Sequence, residues 1–310
     1  MPNNDIESQP DSTLAVLGLG PMGQALAAAA ITADRSTVVW NRTPDKARAL
    51  VAQGATLAPT AAEAVRKASL VICCVVNYGV LQAIVGDVAD WSATTLVNLT
   101  SGHSGEARAM AAWAGERDIS YLDGAILTPA PNIGTPSASI LYCGPQPVFA
   151  RRQTTLETFS RTCVYLGDDY GAAAAYEMAL LDLFAMTVGG LAHSFAMATA
   201  EGIPPTEFAR FAKGVGNLLP DMVDRFAGQL LEGRFPGKMS NIASAGSAIT
   251  HVAETSDTHG MDTGPLRAVQ AIIDRAIEAG HGHEGYARLA QILTPDISDH
   301  SADTSNRARS

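Results

Sequence analysis

A doubly wound α/β domain, followed by a long helix and an all-helical domain, is the fold class that the sequence predicts, and three observations predict it. Short apolar runs alternate with helix-like segments over roughly the first half of the chain. After Gly167 the alternation stops, and Ala, Leu and Met dominate a long stretch without Pro. Finally, 310 residues exceed one small core and fit two domains of ordinary size.

The strand-like runs fall at 13–17, 37–40, 70–76, 95–98, 121–125, 139–143 and 163–166. Strands that alternate with helices imply a mostly parallel sheet covered on both faces. The segment 171–201 reads as one helix, and 204–214, 218–231, 242–255 and 266–279 read as further helices separated by Gly and Pro. The expected domains are therefore a sheet domain at 13–169, an inter-domain helix at 170–201 and a helical domain at 202–293. The polar ends, 1–12 and 294–310, read as disordered tails.

Composition excludes several classes of function. With 47% hydrophobic and 17% charged residues the chain has the apolar content of a packed protein rather than a disordered one. A net charge of -10, with the 21 Lys and Arg residues spread singly, offers no basic stripe for a nucleic acid. The apolar runs, such as 178–186, are broken by charged residues before spanning length, so no membrane helix is expected. The N-terminus lacks the basic start and apolar core of a secretory signal, which favours the cytoplasm. Cys73, Cys74, Cys143 and Cys163 form no C-x-x-C and read as small core residues, and no His spacing suggests a metal site.

The run Leu14-Ala15-Val16-Leu17-Gly18-Leu19-Gly20-Pro21-Met22-Gly23 carries the chemistry of this first domain. It places G-x-G-x-x-G directly after an apolar strand and before an Ala-rich helix, the context of a Rossmann dinucleotide site. Gly18 permits the tight turn, Gly20 lets the backbone approach a pyrophosphate, and Gly23 lets the helix pack on the strand. A bare turn accounts for the glycines but not for the strand and helix around them. At the end of the second strand, where an NAD enzyme places a carboxylate, this chain has Asn41, Arg42, Thr43 and Lys46. A guanidinium fork, a hydroxyl and an ammonium suit a 2′-phosphate, so NADPH is expected over NADH. The alternative is that Arg42 and Lys46 are solvated charges at a helix start.

The glycine run, with Trp40-Asn41-Arg42-Thr43 and Lys46, resembles the β-hydroxyacid dehydrogenase superfamily. Val97-Asn98-Leu99-Thr100-Ser101-Gly102 is similar to its imine reductase branch, as are Tyr121-Leu122-Asp123-Gly124-Ala125-Ile126 and the Gly280–Tyr286 segment. The resemblance covers most of the chain. It implies an NADPH-dependent imine reductase with a C-terminal domain like that of 6-phosphogluconate dehydrogenase, working as a homodimer. It also puts Asn98 and Thr100 beside the nicotinamide, although Asn, Thr, Ser and Gly equally suit an ordinary turn. Ser101 and Gly102 read as turn residues only.

The departure from the superfamily lies at Glu177 and Leu181, where hydroxyacid dehydrogenases carry a Lys and an Asn. The residues that would bind and deprotonate a hydroxyacid are thus missing. Imine reductases usually carry Asp or Tyr at the position of Glu177, as the proposed proton donor, so Glu177 is the candidate catalytic residue. Leu180, Leu181 and Phe184 share its helix face and are expected to bury it, raising its pKa. An exposed carboxylate that favours the helix dipole is the plainer alternative. Tyr176 and Asp182 are competing donors, and Ala185 stands where relatives place a Tyr or Trp. His193 and His251 read as packed helix residues, His251 with Glu254 as a candidate cleft lining, and His281 and His283 lie in a Gly-rich turn. A carbonyl reductase of the hydroxyacid dehydrogenase type and a non-catalytic NADPH-binding module remain the other readings.

Overall fold

The computed structural model of the chain describes residues 13–91 and 94–294. The segments 1–12 and 295–310, expected to be tails, lie outside the described residues. The described residues divide into two compact units, one ending at Ala185 and the other starting at Met186.

The first unit is built on eight strands: β1 (Leu14–Leu17), β2 (Thr37–Trp40), β3 (Thr56–Leu57), β4 (Leu70–Cys73), β5 (Thr95–Asn98), β6 (Ser120–Ile126), β7 (Ser139–Cys143) and β8 (Thr162–Tyr165). Its helices are α1 (Pro21–Thr32), α2 (Arg48–Ala52), α3 (Ala61–Arg66), α4 (Tyr78–Val85), α5 (Ser104–Gly115) and α6 (Gln146–Leu156). The strands form one sheet in the order β3-β2-β1-β4-β5-β6-β7-β8. Strands β1, β4 and β5 are buried throughout, which is why they read as continuous apolar runs rather than alternating ones. Alternate residues of β1 feed opposite layers: Leu14 and Val16 pack with Leu26 and Ala30 of α1, while Ala15 and Leu17 pack with Val65 of α3 and Leu81 of α4.

The order reverses between β1 and β4, and at such a switch point the strand ends open a crevice for ligands. The parallel register brings the ends to one level, pairing Leu17 with Cys73, Cys73 with Asn98 and Asn98 with Asp123.

Three details differ from the sequence reading. The run 70–76 stops as a strand at Cys73, because Val75 N–H bonds the Thr100 hydroxyl at 3.2 Å and the chain turns toward the Asn77 cap of α4. Strand β3 escapes the pattern because it has two residues, both exposed. Strand β7 runs antiparallel to β6, so the sheet is mixed at that edge.

Helix α7 (Ala172–Ala200) runs through the boundary between the units. It is long and apolar enough to cross a membrane by length and composition, which corrects the expectation that no segment reaches such a length. Ala, Val, Leu, Phe and Met keep its average apolar beyond the run 178–186. Glu177 and Asp182 in its first half would each cost about 2.5–3.5 kcal/mol at a bilayer centre.

The second unit continues with α8 (Pro205–Gly216), α9 (Leu219–Glu232), α10 (Ile242–Thr258), α11 (Gly264–Glu278) and α12 (Leu289–Leu293). Its core is small: Ile242 and Ala245 of α10 against Ile273 and Ala276 of α11. Gly246 permits this approach, since a Cβ there would lie 3.0 Å from the Ile273 side chain.

Candidate active site

The glycine turn between β1 and α1 is shaped by contacts that a side chain would break. Gly18 has φ +93°, and a Cβ on it would run into the carbonyl oxygen of Cys74. A Cβ on Gly23 would run into the carbonyl oxygen of Gly18. Gly20 is different: its φ of -68° suits any residue, and a Cβ there meets no atom of the chain within 4 Å. The protein itself gives no reason for a glycine at this position. A ligand backed onto the turn does, and Gly20 is also the N-cap of α1, with Pro21 following and no acidic residue in the first turn. The free N–H groups and positive dipole end therefore face an open cradle suited to a pyrophosphate.

A cavity of about 550 Å³ continues from Gly18 past Trp40, Asn41, Arg42, Thr43 and Lys46. Arg42, Thr43 and Lys46 are exposed. Asp45 pairs with Arg48 at 3.0 Å, and Arg42 and Lys46 enter no ion pair among the described residues. Two cations and a hydroxyl on one cavity wall fit the extra phosphate of NADPH. Asn41 works on the protein: its Oδ1 accepts from Leu19 N–H at 2.9 Å and its Nδ2 donates to the Thr43 carbonyl at 3.0 Å. It ties the glycine turn to the end of β2.

At the ends of β4 and β5 the polar residues turn inward. Asn98 is fully buried, its Nδ2 donating to Asp123 at 3.1 Å and its Oδ1 accepting from Thr100 N–H at 3.0 Å. Thr100 is also buried and receives Val75 N–H. The structure brings these two residues to the crevice and uses their side chains to hold the turn. The next residue faces the other way: Ser101 Oγ donates to Glu177 Oε1 at 2.5 Å.

Glu177 is only 8% exposed, so the exposed-carboxylate alternative is set aside. Its burial has a different origin from the one expected. Leu180, Leu181 and Phe184 are all exposed, and the contact that closes over the carboxyl comes from across the helix, from Ser101. The start of α7 is held in place by Ser104, whose hydroxyl donates to the Gly171 carbonyl at 2.9 Å, and by a two-pronged Arg108–Asp169 contact at 2.9 Å. Burial raises the Glu177 carboxyl above its ordinary value, against the opposing effect of the Ser101 hydrogen bond. The neighbouring Cys74 thiol is pushed up to about 12 by burial and by the charge of Glu177, so it stays neutral.

The competing candidates lie elsewhere. Tyr176 is 56% exposed, and Asp182 and Ala185 are exposed as well. His251 and Glu254 form an exposed pair at 3.5 Å within one helix, and His193 has a buried Nε2 without a hydrogen-bond partner. In the second unit His281 sits between Glu284 Oε1 at 3.2 Å and an Arg288 nitrogen at 2.7 Å, which makes the Gly-rich turn a structural tie. Sequence reasoning missed Ser101. The available signal was a hydroxyl directly after the buried Asn98-x-Thr100 pair, at the mouth of the crevice.

Two family models match the chain. Residues 169–295 match the C-terminal domain of NADPH-dependent reductive aminase-like proteins, and residues 13–167 match the NAD binding domain of 6-phosphogluconate dehydrogenase. An NADPH-dependent reductive aminase of Aspergillus oryzae is 30% identical over 288 residues, 90% of this chain and 96% of that protein. Among solved structures, the imine reductase from Myxococcus stipitatus in complex with NADP+ has a TM-score of 0.88 at 30% identity, covering 91% of this chain and 100% of that one. The reductive aminase from Aspergillus terreus, in complex with NADPH and ethyl-5-oxohexanoate, has a TM-score of 0.87 at 28% identity over 91% and 99% of the two chains.

Proposed function

The chain belongs to the family of NADPH-dependent reductive aminases and imine reductases, and we propose that Glu177 is the acid of its reaction. It is an NADPH-dependent oxidoreductase acting on carbon–nitrogen double bonds. A neutral imine accepts hydride poorly, whereas protonation puts positive charge beside the carbon that is attacked. Bound NADPH supplies the hydride. Glu177 gives its proton to the imine nitrogen as the carbon receives the hydride pair, so that C=N becomes CH–NH and the carboxylate is left on the enzyme.

The observation that carries this reading is a buried Glu177 with one oxygen already held by Ser101. Burial keeps the carboxyl protonated to a higher pH than an exposed one, and the Ser101 bond fixes its rotamer while leaving Oε2 to carry the proton. An ionised Glu177 beside a substrate that arrives as a cation would act by charge alone. The raised pKa favours the donor role.

In the same reading, Gly18, Leu19, Gly20, Pro21, Met22 and Gly23 take the pyrophosphate of NADPH, and Arg42, Thr43 and Lys46 take its 2′-phosphate. Asn41 braces the glycine turn, and Asn98 and Thr100 support the nicotinamide end from within the protein. The substrate is a small cyclic imine or iminium. Four free cysteines suit the reducing cytoplasm, where cell fractionation should find the protein.

A homodimer is the second part of the proposal. Helices α8 and α9 bury no residue, and Phe211, Val215, Val223 and Leu231 are more than half exposed, as are Phe184 and Met186 on α7. So much apolar surface calls for a partner, and a second copy supplies a matching one. Sedimentation equilibrium should give twice the chain mass of 32.3 kDa. A monomer at micromolar concentration would contradict it.

The activity test is direct. With 2-methyl-1-pyrroline the protein should oxidise NADPH, and with a β-hydroxyacid it should leave NADP+ unreduced. Reduction of NADP+ by the hydroxyacid, with no turnover of cyclic imines, would overturn the assignment.

A further inference from the structure

A buried carboxylate that the reaction does not touch lies behind the turn that holds Glu177. Asp123, in β6, is fully buried and accepts from three side chains: Tyr78 at 3.0 and 3.1 Å on its two oxygens, Tyr121 at 2.5 Å and Asn98 at 3.1 Å. The register of β5 on β6 sets Asp123 beside Asn98. Burial pushes the Asp123 carboxyl up to about 6, against the opposing effect of its three donors. Such a group is costly to bury, and its contacts show what it organises.

Two separate paths lead from Asp123 to the turn. Along the first, the Asn98 amide gives one N–H to Asp123, which sets the flip of the amide so that its oxygen faces and accepts Thr100 N–H, and this fixes the near side of the turn. Along the second, Tyr78 donates to Asp123 while its ring lies over Gly102 so closely that a Cβ there would be 2.5 Å from Cε2. That contact fixes the far side. Ser101 stands between the two fixed residues, and its hydroxyl meets Glu177.

We propose that Asp123 is a positioning residue for the reaction: a buried carboxyl group that, through Asn98 and through Tyr78, holds the Thr100–Gly102 turn so that Ser101 orients the proton-donating Glu177. The proposal rests on the donor role of Glu177 given above. Tyr121 contributes by holding the Asp123 carboxyl and by a hydrogen bond with Asn98.

The test is a double-mutant cycle on the full-length enzyme, with Asp123→Asn and Ser101→Ala alone and together, assayed on a neutral cyclic imine. Each single change is expected to lower kcat on the order of 10- to 100-fold, the size of effect that misplacing a reacting group has, with the KM for NADPH unchanged. The double variant should be no slower than the slower single one, because both changes remove the same placement of Glu177. Multiplying losses, or an unchanged kcat in Asp123→Asn, would overturn the proposal. If Asp123→Asn does not fold, Tyr121→Phe takes its place in the cycle, with a smaller loss of kcat and the same lack of additivity expected, and additivity there is equally fatal. Glu177→Gln separates the two levels. If it loses turnover while Asp123→Asn and Ser101→Ala do not, only the positioning proposal fails. If it retains turnover, both fail.

Discussion

Glu177→Gln should lower kcat on a neutral cyclic imine by about 10²- to 10⁴-fold, the range that a positioned general acid contributes, while NADPH affinity stays as it was. The side chain keeps its length and its bond from Ser101, so the loss isolates the proton. Glu177 is buried on the first unit, and the glycine turn proposed to take the pyrophosphate is a separate element, which is why binding should survive. The sign of the pH dependence follows from the same group. Burial raises the Glu177 pKa, so the acid form persists to a higher pH than in an exposed carboxyl, and turnover of a neutral imine falls as the pH rises through that raised value. In the glutamine variant that alkaline fall should be absent. A variant with native kcat would remove Glu177 from the mechanism.

Gly20→Val should fold and yet fail to bind NADPH. Its φ of -68° and ψ of 177° are open to valine, and a Cβ there meets nothing in the chain, so thermal stability should be close to native. The side chain instead fills the cradle at the N-terminus of α1. A displacement costing about 3 kcal/mol corresponds to about a hundredfold in affinity. Gly18→Ala and Gly23→Ala give the contrasting result, because both place a Cβ against backbone and should lose the fold itself. Arg42→Ala completes the series. In the proposed cofactor geometry it removes a charge-assisted contact of about 1.5–3 kcal/mol to the 2′-phosphate, so NADPH binding should weaken about 10- to 100-fold while NADH binding is unchanged. Isothermal titration with both cofactors checks all of these. Native affinity in Gly20→Val, or equal losses for NADPH and NADH in Arg42→Ala, would contradict the cofactor geometry.

The order of strands and helices was legible because the central strands β1, β4 and β5 are buried throughout and read as short apolar runs. Gly18, Gly20 and Gly23 were legible for a related reason, since strand, turn and helix follow one another in the chain. What the sequence could not give was anything made by contacts between distant segments. The two exposed residues of β3 leave no pattern, and the reversed direction of β7 is a matter of pairing. The position of Glu177 could be read from resemblance, but its burial was expected from Leu180, Leu181 and Phe184 on its own helix. The cover comes from a turn 76 residues earlier in the chain. Helical spacing reports which residues share a face and says nothing of what lies opposite. For the same reason Ser101 looked like a turn residue, and Asp123 like one letter of an apolar strand. The apolar length of α7 was underestimated differently, by counting charges within a short run when the whole helix sets the average.

The donor role of Glu177 is tested most directly by giving Glu177→Gln two substrates of one shape: the neutral 2-methyl-1-pyrroline and its N-methylated iminium, which carries a permanent positive charge and needs no proton. The variant should lose most of its kcat on the neutral imine and keep most of it on the iminium. Equal loss on both would mean that Glu177 acts by its charge or its shape, and no loss on either would mean that the proton comes from elsewhere.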